Sequence, residues 1–148
     1  MPKNSYSTCY DRAAGLLSAA EHCTRGLERK LLARGYEEKE VAETLQRLTA
    51  ENLLNDERFA GLWIEFRQKR RNEGGRRLTE GLLRRGVRRD IAEAAVRRAA
   101  QTDEYLQALR RAREKLLAGG CSDEQALVSL LLRKGFSRSE IKKCEEDD

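Results

Sequence analysis

One short phrase occurs three times in this chain, and that repetition constrains the fold more than any other feature. The copies are LLARGYEEKEVAETL, LLRRGVRRDIAEAAV and LLRKGFSRSEIKKC, which begin at Leu31, Leu82 and Leu131. Each contains two leucines, two mostly basic residues, a glycine and a large apolar residue, followed by a polar gap and a second helical pattern. A period of roughly 50 residues is typical of repeat architectures. The sequence therefore predicts three tandem units.

The glycine of each copy predicts how the first helix of the phrase ends. Gly35, Gly86 and Gly135 follow the last residue of a helical pattern. A left-handed backbone is common at that position, and glycine adopts it without a steric penalty. The next residue is large and apolar, and in a Schellman cap it folds back, as Tyr36 would onto Leu31. We therefore expect a positive φ at all three glycines, which act as structural caps.

A further helical pattern precedes each copy, so that every unit contains three predicted helices. Charged residues make up 37% of the chain and aromatic residues 5%, which favours helices and offers little for a sheet. The predicted fold is all-α, with three tandem three-helix repeats, elongated and curved as stacked repeats are. The preceding helices are expected at 10–21, 57–72 and 103–118, and the units at 1–54, 55–101 and 102–148.

Several short polar residues predict where helices begin. Asn55 and Thr102 stand before helical patterns as N-cap residues, whose side chains accept a backbone N–H bond. Two residue pairs match the capping-box pattern, in which the cap and the third helical residue bond each other's backbone. These pairs are Ser122 with Gln125 and Ser137 with Glu140.

Basic residues concentrate in the segment from Arg67 to Arg89. The whole chain has a net charge of +5, whereas this segment alone has ten basic residues against Glu73 and Glu80. Such a concentration is typical of surfaces that bind phosphates or an acidic partner. The general alternative for a charge run is a solvated helix face. The candidate basic face is Arg67, Lys69, Arg70, Arg71, Arg76, Arg77, Arg84, Arg85, Arg88 and Arg89, and the secondary candidates are Arg110, Arg111, Arg113 and Lys115.

The remaining features predict no catalysis. The four cysteines form no CxxC pair and His22 is the only histidine, so we expect no metal, no cofactor and a packed or capping histidine. Gly74-Gly75 lacks the phosphate-loop pattern and is expected to be a turn between helices. Trp63 and Phe66 have a helical spacing that favours core packing over base stacking. No signal peptide or membrane span is evident, which favours a cytoplasmic protein with no membrane role and no small-molecule substrate.

Three stretches resemble a known family, the RecX regulatory proteins of bacteria. They are EHCTRGLERKLLARGY, LLNDERFAGLWIEFR and GGRRLTEGLLRRGV, and the resemblance covers nearly the whole chain, more weakly in the last unit. It implies tandem three-helix repeats and a regulatory protein rather than an enzyme. It also implies binding to the RecA recombinase, chiefly as the filament on single-stranded DNA. The expected effect is to inhibit the filament's ATPase, strand exchange and growth, and so to affect recombination, DNA repair and the SOS response.

The chain departs from the usual RecX pattern at a few structural positions. Cys23 and Gly26 stand where a Ser and a Glu usually form a capping box for the second helix. We expect Thr24 to cap that helix instead. Asn52 replaces a family glycine and still tolerates a left-handed backbone.

Two other functions are consistent with the residues alone. Short helix–turn–helix pairs with arginines also describe a basic helical DNA-binding protein that acts without RecA. The third alternative is a helical scaffold with no nucleic-acid role. Salt dependence of binding to bare DNA would separate these two, because phosphate contacts release counterions.

Overall fold

The computed structural model describes residues 8–147, and this part of the chain forms nine α-helices and no strand. The all-α prediction and the three-helix repeats are therefore confirmed. Residues 1–7 and 148, which belong to the first and third predicted units, lie outside the described residues. The helices are α1 (Cys9–Ala19), α2 (Thr24–Ala33), α3 (Glu38–Ala50), α4 (Asp56–Arg71), α5 (Gly75–Arg84), α6 (Arg89–Ala99), α7 (Asp103–Ala118), α8 (Glu124–Arg133) and α9 (Arg138–Glu146).

The described helices group into two compact units. The first contains residues 8–59 together with 85–87, and the second contains 60–84 and 88–147. In the first unit α1, α2 and α3 pack against one another. In the second unit α5 packs against α6, and α7, α8 and α9 pack against one another. The predicted boundaries at 54/55 and 101/102 stay a prediction.

The core of the first unit follows from the repeated phrase. Leu27 and Leu31 of α2 and Val41, Leu45 and Leu48 of α3 are buried together, because their spacing of three or four residues places them on one helix face. Burying each such side chain contributes roughly 1.5–3 kcal/mol, which offsets the entropy lost by ordering short helices. Hence packing between helices, rather than helix propensity alone, stabilises the phrase.

All three repeat glycines have the expected left-handed backbone. The φ angles are 92° at Gly35, 94° at Gly86 and 104° at Gly135. In the first copy the amide of Tyr36 donates to the Leu31 carbonyl at 3.4 Å, which is the long bond of a Schellman cap. The third copy repeats this bond, from Phe136 to Leu131, at 3.3 Å. The predicted positive φ is therefore confirmed at all three glycines.

Most of the predicted helix starts are confirmed. The Asn55 side chain accepts from the Arg58 amide, and the Thr102 hydroxyl accepts from the Tyr105 amide. Ser137 and Glu140 form the expected capping box. The prediction for Ser122 is wrong, because α8 begins one residue later and Asp123 caps it by accepting from the Ala126 amide at 3.2 Å. A carboxylate in that position also complements the helix dipole.

The start of α2 is capped from another helix. Its N-cap residue, Cys23, makes no side-chain capping bond, and Thr24 is already the first helical residue. The expectation that Thr24 caps α2 is therefore wrong. Instead the Asp56 carboxylate, in the first turn of α4, accepts from both the amide and the hydroxyl of Thr24, at 2.7 and 2.9 Å. Asn52 has the expected left-handed backbone, with φ 59°.

The Gly74-Gly75 pair is a close junction between helices, as predicted. The Gly74 amide donates to the Lys134 carbonyl at 2.8 Å, and the Arg76 amide donates to the Gly135 carbonyl at 3.0 Å. A β-carbon at Gly74 would lie 2.4 Å from the Phe136 amide nitrogen. Glycine is required here because the α8–α9 turn packs directly on the backbone that opens α5. This contact positions the basic residues on either side of the pair.

Candidate functional site

Arg67, a residue of the candidate basic face, is held by a buried carboxylate. Its guanidinium forms two hydrogen bonds with Glu73, at 3.0 and 3.2 Å, and the Glu73 side chain is only 5% exposed. The same guanidinium lies 5.2 Å from the centre of the Trp63 ring. A bidentate pair of this kind is oriented and partly shielded from solvent. The charge of Arg67 is therefore neutralised within the second unit, where it fixes the end of α4.

Arg76 and Arg77 contact the turn between α8 and α9. Arg76 donates to the Leu132 carbonyl at 2.9 Å and also pairs with Glu80 at 3.4 Å. Arg77 donates to the Arg133 carbonyl at 3.3 Å. Both side chains remain exposed, so they combine a structural contact with an accessible charge. This turn also brings Lys134 onto the Arg71 carbonyl at 2.8 Å, and burial lowers the pKa of Lys134.

Arg88 and Arg89 lie at the start of α6 and have acidic neighbours on the same helix. Arg88 pairs with Asp90 at 3.1 Å and Arg89 pairs with Glu93 at 3.4 Å. All four side chains are well exposed, and exposed pairs of this type contribute at most about 1 kcal/mol. These arginines are accessible, but their charge is partly compensated.

Accessible positive charge is present on α4 and α5. Four exposed basic side chains of these two helices make neither an ion pair nor a side-chain hydrogen bond with any residue between 8 and 147: Lys69, Arg70, Arg71 and Arg84. Arg70 lies over the Phe66 ring, 5.3 Å from its centre. Arg85 is also exposed but belongs to the first unit, where its carbonyl accepts from the Cys23 thiol.

The prediction that Phe66 packs in the core is wrong. Its side chain is 57% exposed and Leu62, one helical turn earlier, is 46% exposed. The buried row of α4 is Ala60, Ile64 and Gln68, so the apolar residues of this helix occupy more than one face. Trp63 is half-buried and packs onto Gly81, whose missing β-carbon leaves room for the indole ring. The core prediction therefore holds only in part for Trp63.

The secondary candidates on α7 are less accessible than the sequence suggests. Arg111 pairs with Glu104 at 3.1 Å and donates to the Asn72 side chain at 2.9 Å. Arg110 and Arg113 are half-buried, whereas Lys115 is exposed. Three of these four side chains are therefore only partly accessible to a binding partner.

His22 is a packed residue, as predicted. It is buried, with its Nδ1 atom 2.8 Å from the Ala20 carbonyl and its Nε2 atom 2.7 Å from the Lys30 ammonium group. An ammonium group only donates, so Nε2 accepts and Nδ1 carries the proton. Both ring nitrogens are thus occupied by structural contacts.

Two searches of residues 8–147 give negative results. No group of three or more His, Cys, Asp or Glu side chains is arranged to hold a metal ion. No described helix has the length and apolar character needed to cross a bilayer.

Two basic residues outside the predicted face were missed by sequence reasoning. Arg97 and Arg133, together with Arg76, line a cavity of about 580 Å³ in the second unit. Arg97 precedes Arg98 and Arg133 precedes Lys134, so these basic pairs were the available signal. Only the packing of α5, α6 and α8 shows that the three arginines border one cavity.

The fold defines an all-α protein of three-helix repeats with exposed basic residues, and comparison with known proteins specifies its family. The family model for the first three-helix domain of RecX matches residues 9–48, and the model for the second matches residues 55–96. The regulatory protein RecX of Mycobacterium sp. (strain KMS) is 32% identical over 132 residues, which cover 84% of this chain and 72% of that protein. The chain belongs to the RecX family.

Other comparisons agree with this assignment. The regulatory protein RecX of Halorhodospira halophila is 32% identical over 146 residues, which cover 93% of this chain and 89% of that protein. The crystal structure of RecX from Lactobacillus salivarius superimposes with a TM-score of 0.83 at 23% identity and covers 95% of this chain and 94% of that one. At this identity the likeness shows the fold alone. RecX proteins are regulatory and non-enzymatic, which confirms the expectation that the chain is not an enzyme.

Proposed function

We propose that this protein binds the RecA recombinase, chiefly as the filament on single-stranded DNA, and inhibits its ATPase, strand exchange and growth. In this proposal it acts in the bacterial cytoplasm and thereby affects recombination, DNA repair and the SOS response. Membership of the RecX family supports the partner, and the exposed basic residues of α4 and α5 support the mode of binding.

The observation that carries the proposal is the uncompensated charge on α4 and α5. Glu73 is already neutralised by Arg67, and Glu80 by Arg76, so neither carboxylate offsets the other basic side chains of this segment. Lys69, Arg70, Arg71 and Arg84 therefore present a net positive surface. A nucleoprotein filament offers both phosphates and acidic side chains, and either would be attracted to such a surface.

Binding of this kind acts by charge and position. Each guanidinium or ammonium group that meets a phosphate displaces a condensed counterion, so affinity is shared among several residues and falls steeply with salt. No single arginine is expected to be indispensable. Inhibition follows if the bound protein occupies surface that the filament must rearrange during ATP hydrolysis and strand exchange.

The decisive experiment is a pull-down of purified RecA with this protein. It is performed with and without single-stranded DNA and a non-hydrolysable nucleotide, alongside single-turnover ATPase measurements on preformed filaments. We expect the protein to capture more RecA when RecA is assembled in filaments than when it is free. We also expect it to lower the ATPase rate of the filaments. Binding to bare DNA with no effect of RecA would favour the alternative of a basic helical DNA-binding protein that acts without RecA.

A further inference from the structure

A cavity of about 580 Å³ in the second unit has an apolar floor and a basic rim. The floor is formed by Val96 of α6, Tyr105 of α7, and Leu132 and Phe136 around the end of α8. This volume is sufficient for one large aliphatic side chain and the peptide backbone beside it. The cavity is therefore a candidate docking site for a short segment of another molecule.

The floor is held rigidly by contacts among its own residues. The Tyr105 hydroxyl accepts a hydrogen bond from the Gly75 amide at 2.8 Å. The rings of Tyr105 and Phe136 pack edge to face, with centres 5.5 Å apart and planes at 73°. Both residues are nearly fully buried, so neither ring offers an open face on which a nucleotide base could stack. An aliphatic side chain suits this floor better than a base.

The rim carries mainly positive charge. Arg97 and Arg133 are exposed, and neither makes an ion pair with any residue of the described range 8–147. Arg76 is the third basic residue of the rim. The one carboxylate that lines the cavity is Glu140, which accepts from the Ser137 amide in the capping box of α9. Carboxylates of a ligand would therefore find two guanidinium groups, Arg97 and Arg133, that are not already paired with a carboxylate of residues 8–147.

We propose that this cavity binds an acidic segment of a partner protein, which inserts one aliphatic side chain between flanking carboxylates. The apolar floor takes the aliphatic anchor, and Arg97 and Arg133 take the carboxylates. Guanidinium groups bind carboxylates with two parallel hydrogen bonds, which fixes the orientation of the segment. The inference goes beyond the proposed function, because none of the four exposed basic residues that support that function lines the cavity, and it assigns an acidic peptide as the ligand chemistry.

Labelled synthetic peptides test the ligand chemistry directly. Fluorescence anisotropy is measured with fluorescein-labelled Glu-Glu-Leu-Glu-Glu, with the same peptide carrying Ser in place of Leu, and with Lys-Lys-Leu-Lys-Lys. Burial of one leucine side chain is expected to make the first peptide bind about tenfold more tightly than the second. The basic peptide should not bind. Equal affinity for the Leu and Ser peptides would overturn the proposal.

Matched variants locate the binding to this cavity. Arg97→Glu should weaken binding of the Leu peptide by about tenfold or more, whereas Arg98→Glu, on the same helix and outside the cavity, should leave it within about twofold. Leu132→Ser should reduce the preference of the protein for the Leu peptide over the Ser peptide. Leu130→Ser, on the same helix, should leave that preference unchanged. Thermal melting of each variant checks that it folds. Equal effects of the paired variants would overturn the assignment.

Two further measurements separate this inference from the proposed function. In the first, a labelled oligothymidylate replaces the peptide in the same assay. If the Leu132→Ser variant loses binding of the oligothymidylate, and the parent binds the Leu and Ser peptides equally, the cavity binds a nucleotide base and the proposal is overturned. Filament pull-down is then repeated with Arg97→Glu and Leu132→Ser. If these variants capture filaments normally and the peptides bind without an anchor preference, the cavity proposal fails while the proposed function stands.

Discussion

At the scale of single residues, the three repeat glycines share one backbone conformation but have different surroundings. No atom lies within 4 Å of the position where a β-carbon would extend from Gly35, whereas at Gly135 the Arg77 amide nitrogen lies 2.7 Å from it. Strain at a positive φ therefore acts alone at Gly35, while at Gly135 it combines with a backbone clash. The same residue type thus has two distinct structural roles.

This difference predicts unequal costs for one substitution. Gly35→Ala should lower the free energy of unfolding by about 1 kcal/mol, because only the left-handed backbone opposes alanine. Gly135→Ala should cost about 1 kcal/mol or more beyond that, because the packed α5 start must also move. Urea denaturation of both variants measures the two values. Equal losses would show that the α8–α9 turn does not pack as described.

The cysteines give a second prediction at this scale. All four are free thiols, and Cys9, Cys23 and Cys144 are buried while Cys121 is partly exposed. Burial raises the pKa of the Cys9 and Cys23 thiols, which keeps them in the unreactive neutral form at neutral pH. A colourimetric disulfide reagent should therefore titrate one thiol rapidly in the native protein and four in denaturant. Rapid reaction of two or more native thiols would contradict this burial.

Tyr105 provides a pH-dependent prediction. Burial raises the pKa of Tyr105 above the ordinary tyrosine value of about 10, so the folded protein keeps the phenol proton at pH values where the unfolded chain loses it. Its contribution to stability is therefore complete below pH 10 and declines as pH rises above that value. Replacement by Phe removes this titration and also the bond from the Gly75 amide.

The stability of the parent and of Tyr105→Phe is compared by urea denaturation at several pH values. At about pH 8 the parent should be more stable by about 1 kcal/mol, the contribution of one hydrogen bond. The difference should shrink towards about pH 11 as the unfolded tyrosine ionises. A difference that stays constant across this range would contradict the burial of Tyr105.

At the scale of helices, the capping of α2 by Asp56 connects the starts of two elements. Asp56→Ala removes both bonds to Thr24 and should lower the free energy of unfolding by about 1–2 kcal/mol, as the loss of a helix cap does. Glu57→Ala is the matched control, because Glu57 is exposed in the same turn of α4. Chemical denaturation measures both variants. Equal effects would mean that the cap contributes no more than a general acidic residue.

At the scale of the whole molecule, the proposed function depends on exposed charge rather than on one residue. The variant Arg70→Glu/Arg71→Glu/Arg84→Glu should weaken filament capture by at least about tenfold and flatten its salt dependence, because three phosphate or carboxylate contacts become repulsive. The control, Arg29→Glu/Lys39→Glu/Lys142→Glu, has the same change in net charge at other exposed positions. Normal capture by the first variant, with unchanged melting, would indicate that α4 and α5 present only a solvated surface.

The elongated and curved outline expected from the repeat pattern stays a prediction, as do the three unit boundaries. What the described structure adds is how the repeated turns are used. The Gly135 turn packs onto the backbone around Gly74, and a β-carbon at Gly86 would lie within 2.5 Å of the Arg25 side chain. The turns at Gly86 and Gly135 are therefore contact points with the start of an earlier helix, whereas a β-carbon at Gly35 would meet no atom within 4 Å.

The sequence by itself determined the features that depend on neighbouring residues. Helical spacing, glycine caps and most N-caps involve atoms within about five positions of one another, so Gly35 or Ser137 could be interpreted from the letters around it. The ten basic candidates were equally visible as a local excess of charge. The all-α fold and the repeat followed from these local signals, and the resemblance to RecX followed from residues that the sequence displays directly.

Only the tertiary structure decided features that depend on distant residues. Asp56 caps a helix that begins 32 positions earlier, and Gly75 donates to a tyrosine 30 positions later. Phe66 is exposed because α4 buries a different face, and no spacing rule states which of several apolar faces meets the core. Arg97 and Arg133 border one cavity only after α6 and α8 have packed. Burial and charge compensation depend on which surfaces pack together and exclude water. These contacts join residues that are far apart in the sequence, so local sequence patterns do not predict them.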